Sequence, residues 1–151
     1  MDGASTRPHF AEISTAFPTV PESVAAARRF VAASLRRFEF TDATIEHAIL
    51  ATSELVANAF AAGRPPIRIR VRLVSDGRAT IEITHGADSE ATEPGSVDEE
   101  PHLTAAGRAV VESMVTRWGS RAVGGGVMAW FEIDDAALDR AEAQASTSGG
   151  A

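Results

Sequence analysis

Glu54 and Asn58 stand four residues apart in the run Ser53-Glu54-Leu55-Val56-Ala57-Asn58-Ala59. On a helix this spacing stacks the carboxylate and the amide on one face. A pair so placed can hold a water and a magnesium ion at a phosphate tail, with the carboxylate as general base. The same spacing also occurs on any solvated polar stripe of an amphipathic helix, so the surroundings must decide between the two. Other candidates are sparse. His9, His47, His85 and His102 show no metal-ligand spacing, and there is no G-x-S-x-G turn. The absence of cysteine excludes disulfides, thiolate zinc sites and a thiol nucleophile. All 14 basic side chains are arginine, and without lysine neither a Walker A loop nor a Schiff base can form. Any phosphate contact must come from arginine, backbone N–H groups or a metal.

The elements that must position these residues follow from hydrophobic periodicity. Residues 10–17 alternate loosely and fit an edge strand ended by Pro18 and Pro21. Over 21–37 the spacing turns helical, with Val24, Ala27, Val31 and Leu35 inward and Arg28, Arg29, Arg36 and Arg37 outward. Thr41 and Asp42 offer N-caps to a second helix reaching about residue 62, with Gly63 as its stop. Its core stripe is expected at Ile45, Ile49, Thr52, Val56 and Ala59, leaving His47, Ala51, Glu54 and Asn58 on the adjacent face. Ile67, Ile69, Val71 and Leu73 alternate with Arg68, Arg70 and Arg72, then Ser75-Asp76-Gly77 turns the chain into a second alternating strand, a hairpin. A third helix is expected over 104–118, stopped by Gly119, followed by strands over 120–123 and 127–133. Gly124-Gly125-Gly126 joins these as a turn, and Trp118 and Trp130 sit beside apolar neighbours as core or interface residues.

The net charge of −7 argues against a direct nucleic-acid surface. Six carboxylates and no arginine lie between 87 and 101, and taking that −6 from the total leaves −1 for the rest of the chain. This aperiodic stretch, within 87–103, reads as a functional loop or as disorder. The 151 residues are expected to form a polar segment at 1–9, one folded domain at 10–133 and an acidic, alanine-rich tail at 134–151, partly helical and disordered at its end. No apolar run reaches the ~20 residues of a membrane span, and the N-terminus lacks a signal core. A cytoplasmic protein is expected.

In order, the chain runs helix, helix ending S-E-L-V-A-N-A, strand, strand ending T-H-G, loop, helix, W-G, strand, G-G-G and a strand ending A-W-F-E-I. It resembles the GHKL ATPase fold of gyrase and histidine kinases, and most closely bacterial anti-sigma factor serine kinases and their actinobacterial relatives. The segment 17–31, FPTVPESVAAARRFV, is similar to the start of those proteins. The resemblance implies a two-layer α/β sandwich of GHKL (Bergerat) type, its mixed, mostly antiparallel sheet covered by helices on one face. It also implies Mg-ATP as cofactor, with Glu54 as general base and Asn58 as magnesium ligand. The nucleotide-loop positions fall on His85, Gly86, Gly107, Arg108, Gly125 and Gly126. Several depart from the family's pattern. Thr84-His85-Gly86 stands where the family has Asp-Gly, its aspartate accepting from the adenine amino group. His85 is either a repurposed pocket residue or an ordinary histidine at a loop edge. Ala105-Ala106-Gly107-Arg108 stands in place of a Gly-Arg-Gly-Leu turn, and Val127 replaces a phosphate-side lysine. The acidic stretch falls where the family has its ATP lid. The resemblance implies a regulatory switch protein that binds a sigma factor or an anti-sigma antagonist, possible homodimers included, and the departures imply weak or lost ATP use. The alternative is an active Mg-ATP-dependent serine kinase acting on such an antagonist.

Overall fold

The computed structural model describes residues 11–61, 65–86 and 103–148. The expected N-terminal polar segment, the Gly63 stop, the acidic stretch up to His102 and the last three residues of the tail lie outside this range. Nine elements follow in order: β1 (Ala11–Phe17), α1 (Glu22–Arg37), α2 (Asp42–Ala61), β2 (Ile67–Ser75), β3 (Arg78–His85), α3 (Ala105–Met114), β4 (Arg117–Val123), β5 (Gly126–Asp134) and α4 (Asp135–Ser148).

The five strands form one sheet in the order β1-β2-β3-β5-β4. Every pairing is antiparallel. The alternation seen in sequence sorts the side chains onto two faces. Ile67, Ile69, Val71, Ala79, Ile81, Ile83, Phe131 and Ile133 point inward and are buried. On them lie Ala27, Val31 and Leu35 of α1 and Ile45, Ala48, Leu55, Val56 and Ala59 of α2, completing an α/β sandwich with one core. Burying each Leu, Ile or Phe contributes roughly 1.5–3 kcal/mol, so this layer is the main source of stability. The opposite face is polar, carrying Glu12, Arg68, Arg70, Arg72, Thr80, Glu82 and Glu132 in register across the strands.

Helix α2 packs against α1, α3, β3 and β5. Enclosed this way it buries more than a single stripe, including Ala51 and Leu55. The sequence reading placed Ala51 beside Glu54 on the polar face; it belongs to the core, and Ile49 is only half-buried. At the start of α2, Thr41 is the expected cap, its hydroxyl accepting from the Thr44 amide at 3.3 Å. Asp135, at the start of α4, reinforces it by accepting from the hydroxyls of Thr41 and Thr44. At the far end of α1, Glu39 takes a left-handed conformation, φ 64°, and the Phe40 amide closes on the Leu35 carbonyl at 3.0 Å, a helix termination that favours glycine.

The third helix is shorter than its periodicity suggests. Val110, Val111, Met114, Val115 and Trp118 keep helical spacing in sequence. Yet α3 ends at Met114, and Val115 is extended. Thr116 donates its amide to the Glu132 carbonyl at 2.9 Å, Trp118 pairs with Phe131, and Gly119 with Trp130. Pairing with β5 therefore wins over local periodicity, helped by the β-branched Val115-Thr116 step. Gly119 does not stop a helix. A Cβ there would come within 3.1 Å of the Trp130 indole, so glycine lets that ring lie across the strand. The tail helix α4, 14 residues long, is longer than expected. Asp134 caps it, accepting from the amides of Ala136 and Ala137 and pairing with Arg78 at 3.3 Å. Burial pushes the Asp134 carboxyl up, but those two amides and Arg78 outweigh it and hold it below its ordinary value.

Candidate functional site

Connectivity brings the end of α2, the end of β3, the start of α3 and the β4–β5 turn to one pole of the molecule. There Ile67, His85 and Val127 lie side by side in register. Helix α2 finishes at this pole, because the chain passes from it to Ile67 in a few residues. Helix α3 begins here and runs away, its end leading to Arg117 at the opposite rim, where Arg117 pairs with Glu132.

Glu54 and Asn58 lie on α2 with half-buried side chains, one turn apart, as the spacing requires. Neither makes an ion pair among the described residues. Glu54 reaches the first turn of α3: a Cβ added at Gly107 would stand 2.8 Å from Glu54 Oε2 and 3.2 Å from Thr104 Oγ1. Glycine at 107 is thus the residue that lets the carboxylate approach the helix backbone. Thr104, which sequence reading took only as a helix start, is the N-cap and accepts from the Gly107 amide at 3.0 Å. Its signal was a threonine standing immediately ahead of the helical run that begins at Ala105. An anion at a helix N-terminus is favoured by the macrodipole, and here the protein supplies one from its own α2.

His85 ends β3 on the inner face, half-buried, and Gly86 follows with φ 71°. Gly125 turns between β4 and β5 with φ 83°, and a Cβ there would meet nothing within 4 Å. Gly126 is buried at the start of β5, paired with Val123. Arg108 lies along the flank of α3. Its guanidinium carbon is 5.5 Å from the centroid of the Trp118 ring, and its Nε is 4.0 Å from Glu112. The pole thus gathers Glu54, Asn58, His85, Gly86, Gly107, Gly125 and Gly126, of which Glu54 and Gly107 are in close contact. Among the described residues no group of three or more His, Asp or Glu side chains could by itself hold a metal ion, and no helix is long and apolar enough to cross a membrane.

The family model of the histidine kinase-like ATPase domain matches residues 17–127. Comparison with curated proteins gives no match. Among solved structures, the RsbU and RsbW domains of Rv1364c from Mycobacterium tuberculosis superpose with a TM-score of 0.61 at 16% identity, over 82% of this chain and 32% of that one. The chain spans about a third of that structure, and the likeness is one of fold.

Domains of the histidine kinase-like ATPase family bind ATP with magnesium. The residues here fit that group on one side only. Glu54 and Asn58 offer a carboxylate and an amide one turn apart on one face of α2, a donor pair of the kind a hydrated magnesium ion takes. On the phosphate side no lysine exists, Arg108 is engaged with Trp118 and Glu112, and the first turn of α3 already faces Glu54 and the Thr104 hydroxyl. At the end of β3 the chain carries His85 and Gly86, with no carboxylate at either position. Taken together, the donor set does not make an intact nucleotide site.

Proposed function

The chain belongs to the histidine kinase-like ATPase domain family, and from that membership we propose that it is a regulatory switch protein acting by protein binding, with weak or lost use of Mg-ATP. The partner class is a sigma factor or an anti-sigma antagonist. Support for the class comes from the resemblance of segment 17–31 to the start of anti-sigma factor serine kinases and from the fold likeness to a structure named for its RsbU and RsbW domains.

One observation carries the reading: His85 and Val127 stand where the family has its aspartate and its lysine. A triphosphate brought to the first turn of α3 would lie near the Glu54 carboxylate, and its added negative charge needs a nearby cation to offset it. The lost lysine removes the neutralising charge. A lost charged hydrogen bond is worth roughly 1.5–3 kcal/mol, so affinity should fall at least about tenfold below that of an intact relative. Calorimetric titration with Mg-ATP up to millimolar concentration tests this, and saturation at low micromolar concentration would overturn it. His85→Asp restores the family's adenine acceptor and should strengthen whatever binding remains.

A second reading, an active serine kinase, is favoured by the joint retention of Glu54 and Asn58 on one helix face. It requires phosphoryl transfer to a serine of the antagonist. Glu54→Gln keeps the side chain's shape but removes its basicity, so transfer would drop ~10²–10⁴-fold with partner affinity intact. No transfer in the wild type removes this reading.

A further inference from the structure

The sheet face away from the helices is ordered by its register into cross-strand rows. One row runs Glu12, Arg72, Thr80, Glu132, Arg117; the next Ser14, Arg70, Glu82, Trp130, Gly119; the next Ala16, Arg68, Thr84, Met128, Arg121. The first two rows and Arg78 balance their charges internally. Glu82, 7% exposed, takes Arg70 at 3.2 Å and Arg72 at 3.4 Å, and Glu12 takes the same two arginines at 3.8 and 3.6 Å. Glu132, 8% exposed, takes Arg117 at 2.8 Å and Arg78 at 3.7 Å, and Asp134 takes Arg78. Four arginines thus answer four carboxylates.

The third row is different. Arg68 and Arg121 are exposed, and among the described residues no carboxylate lies within ion-pair reach of either. Between them stand the half-buried Thr84 and the buried Met128. Strand spacing of about 4.8 Å sets the two arginine positions about 14 Å apart, across three strand intervals. Main-chain pairing fixes both, so the separation is built into the fold rather than into flexible loops. In a chain of net charge −7, this is a local positive strip with two forked donors suited to carboxylates.

We propose that the strip Arg68–Thr84–Met128–Arg121 is a docking surface for an acidic segment of a partner protein, laid across the strands with carboxylates on the two arginines. About four residues of extended chain, ~13 Å, span the gap, so the segment carries Asp or Glu at positions i and i+4. Thr84, half-buried, offers a hydroxyl to its backbone, and the buried Met128 lies under the strip as part of its floor. The surface lies on the opposite side of the sheet from Glu54 and Gly107, so it stands independently of nucleotide binding.

The test uses the full chain and a fluorescein-labelled decapeptide alternating glutamate and serine, read by anisotropy, with a lysine–serine peptide as control. Expected is binding of the acidic peptide alone, weakening at least ~tenfold between ~50 and ~300 mM NaCl. Arg68→Gln with Arg121→Gln should weaken it at least ~fivefold without lowering the melting temperature, since neither residue has a described partner to lose. Arg28→Gln with Arg29→Gln, which removes the same charge from the exposed face of α1, should leave affinity within ~twofold. Equal weakening by both double variants would show a general field and no site, overturning the proposal. So would absence of acidic-peptide binding to the wild type. If the peptide binds only a variant whose six carboxylates between 87 and 101 are changed to amides, the strip serves the chain's own acidic stretch and the partner proposal fails.

Discussion

Glu54 sits beside the first turn of α3, and its loss has consequences for both stability and binding. As an internal anion at the first turn of α3, it stabilises that helix by about 0.3–1 kcal/mol at low ionic strength. Glu54→Gln should then lower stability in urea by that amount, with the difference shrinking at high salt. Under the proposed reading, in which phosphates would approach the first turn of α3, the same change removes a nearby negative charge, so Mg-ATP affinity should rise several-fold. An unchanged affinity in the amide variant would separate Glu54 from the phosphate position. Glu39 offers a simpler case. Its left-handed backbone, φ 64°, suits glycine, and Glu39→Gly should raise the urea midpoint, by up to about 1 kcal/mol in stability. Sequence made Glu54 and Asn58 legible, because helical spacing alone puts them on one face. It could not show that Glu54 touches Gly107, since that contact joins two helices separated by the whole hairpin. Ala51 was assigned to the wrong face for a related reason: a helix enclosed on three sides buries a wider arc than one stripe.

Among the elements, the β5–α4 junction ties distant parts together. Asp134 caps α4 and pairs with Arg78, while the next residue reaches back to the start of α2. The folded carboxyl of Asp134 is held below its ordinary value, so its stabilisation is fully present above the unfolded value near 3.9 and is lost as pH falls through the lower folded one. Asp134→Ala should lower stability by about 0.5–2 kcal/mol at neutral pH. The gap to the wild type should narrow below about pH 4, as urea titrations at the two pH values would record. The elements most legible in sequence were those whose pattern is local: α1, the β2–β3 hairpin and β5. Helix α3 was overextended because apolar residues at three- and four-residue intervals continue into Trp118, and only the ladder to β5 reveals that this residue is in a strand.

For the molecule as a whole, the sheet separates two chemistries, an apolar layer under the helices and a layer of paired charges on the open side. Phe131, fully buried on the strand between β3 and β4, lies at the centre of the first. Phe131→Ala should cost about 3–5 kcal/mol, a large share of the 5–15 kcal/mol that domains of this kind possess. A chemical-denaturation midpoint that hardly moves would mean that the core does not depend on β5. The individual elements were readable from binary patterning and the sandwich from the resemblance their order carries, whereas strand order had no local signal, since nothing in a strand's own residues tells it which neighbour to choose. That order has a consequence for the nascent chain. A ribosome delivers β4 before β5, yet β5 is the strand that sits between β4 and the rest of the sheet. Until residues 126–134 emerge, β4 has no place to bind and the free edge of β3 stays bare, an invitation to pair with other chains. A translation pause ahead of β5 therefore prolongs the exposure of that edge, and arrival of the strand, followed by Asp135 bonding to Thr41 and Thr44, closes the five-stranded sheet.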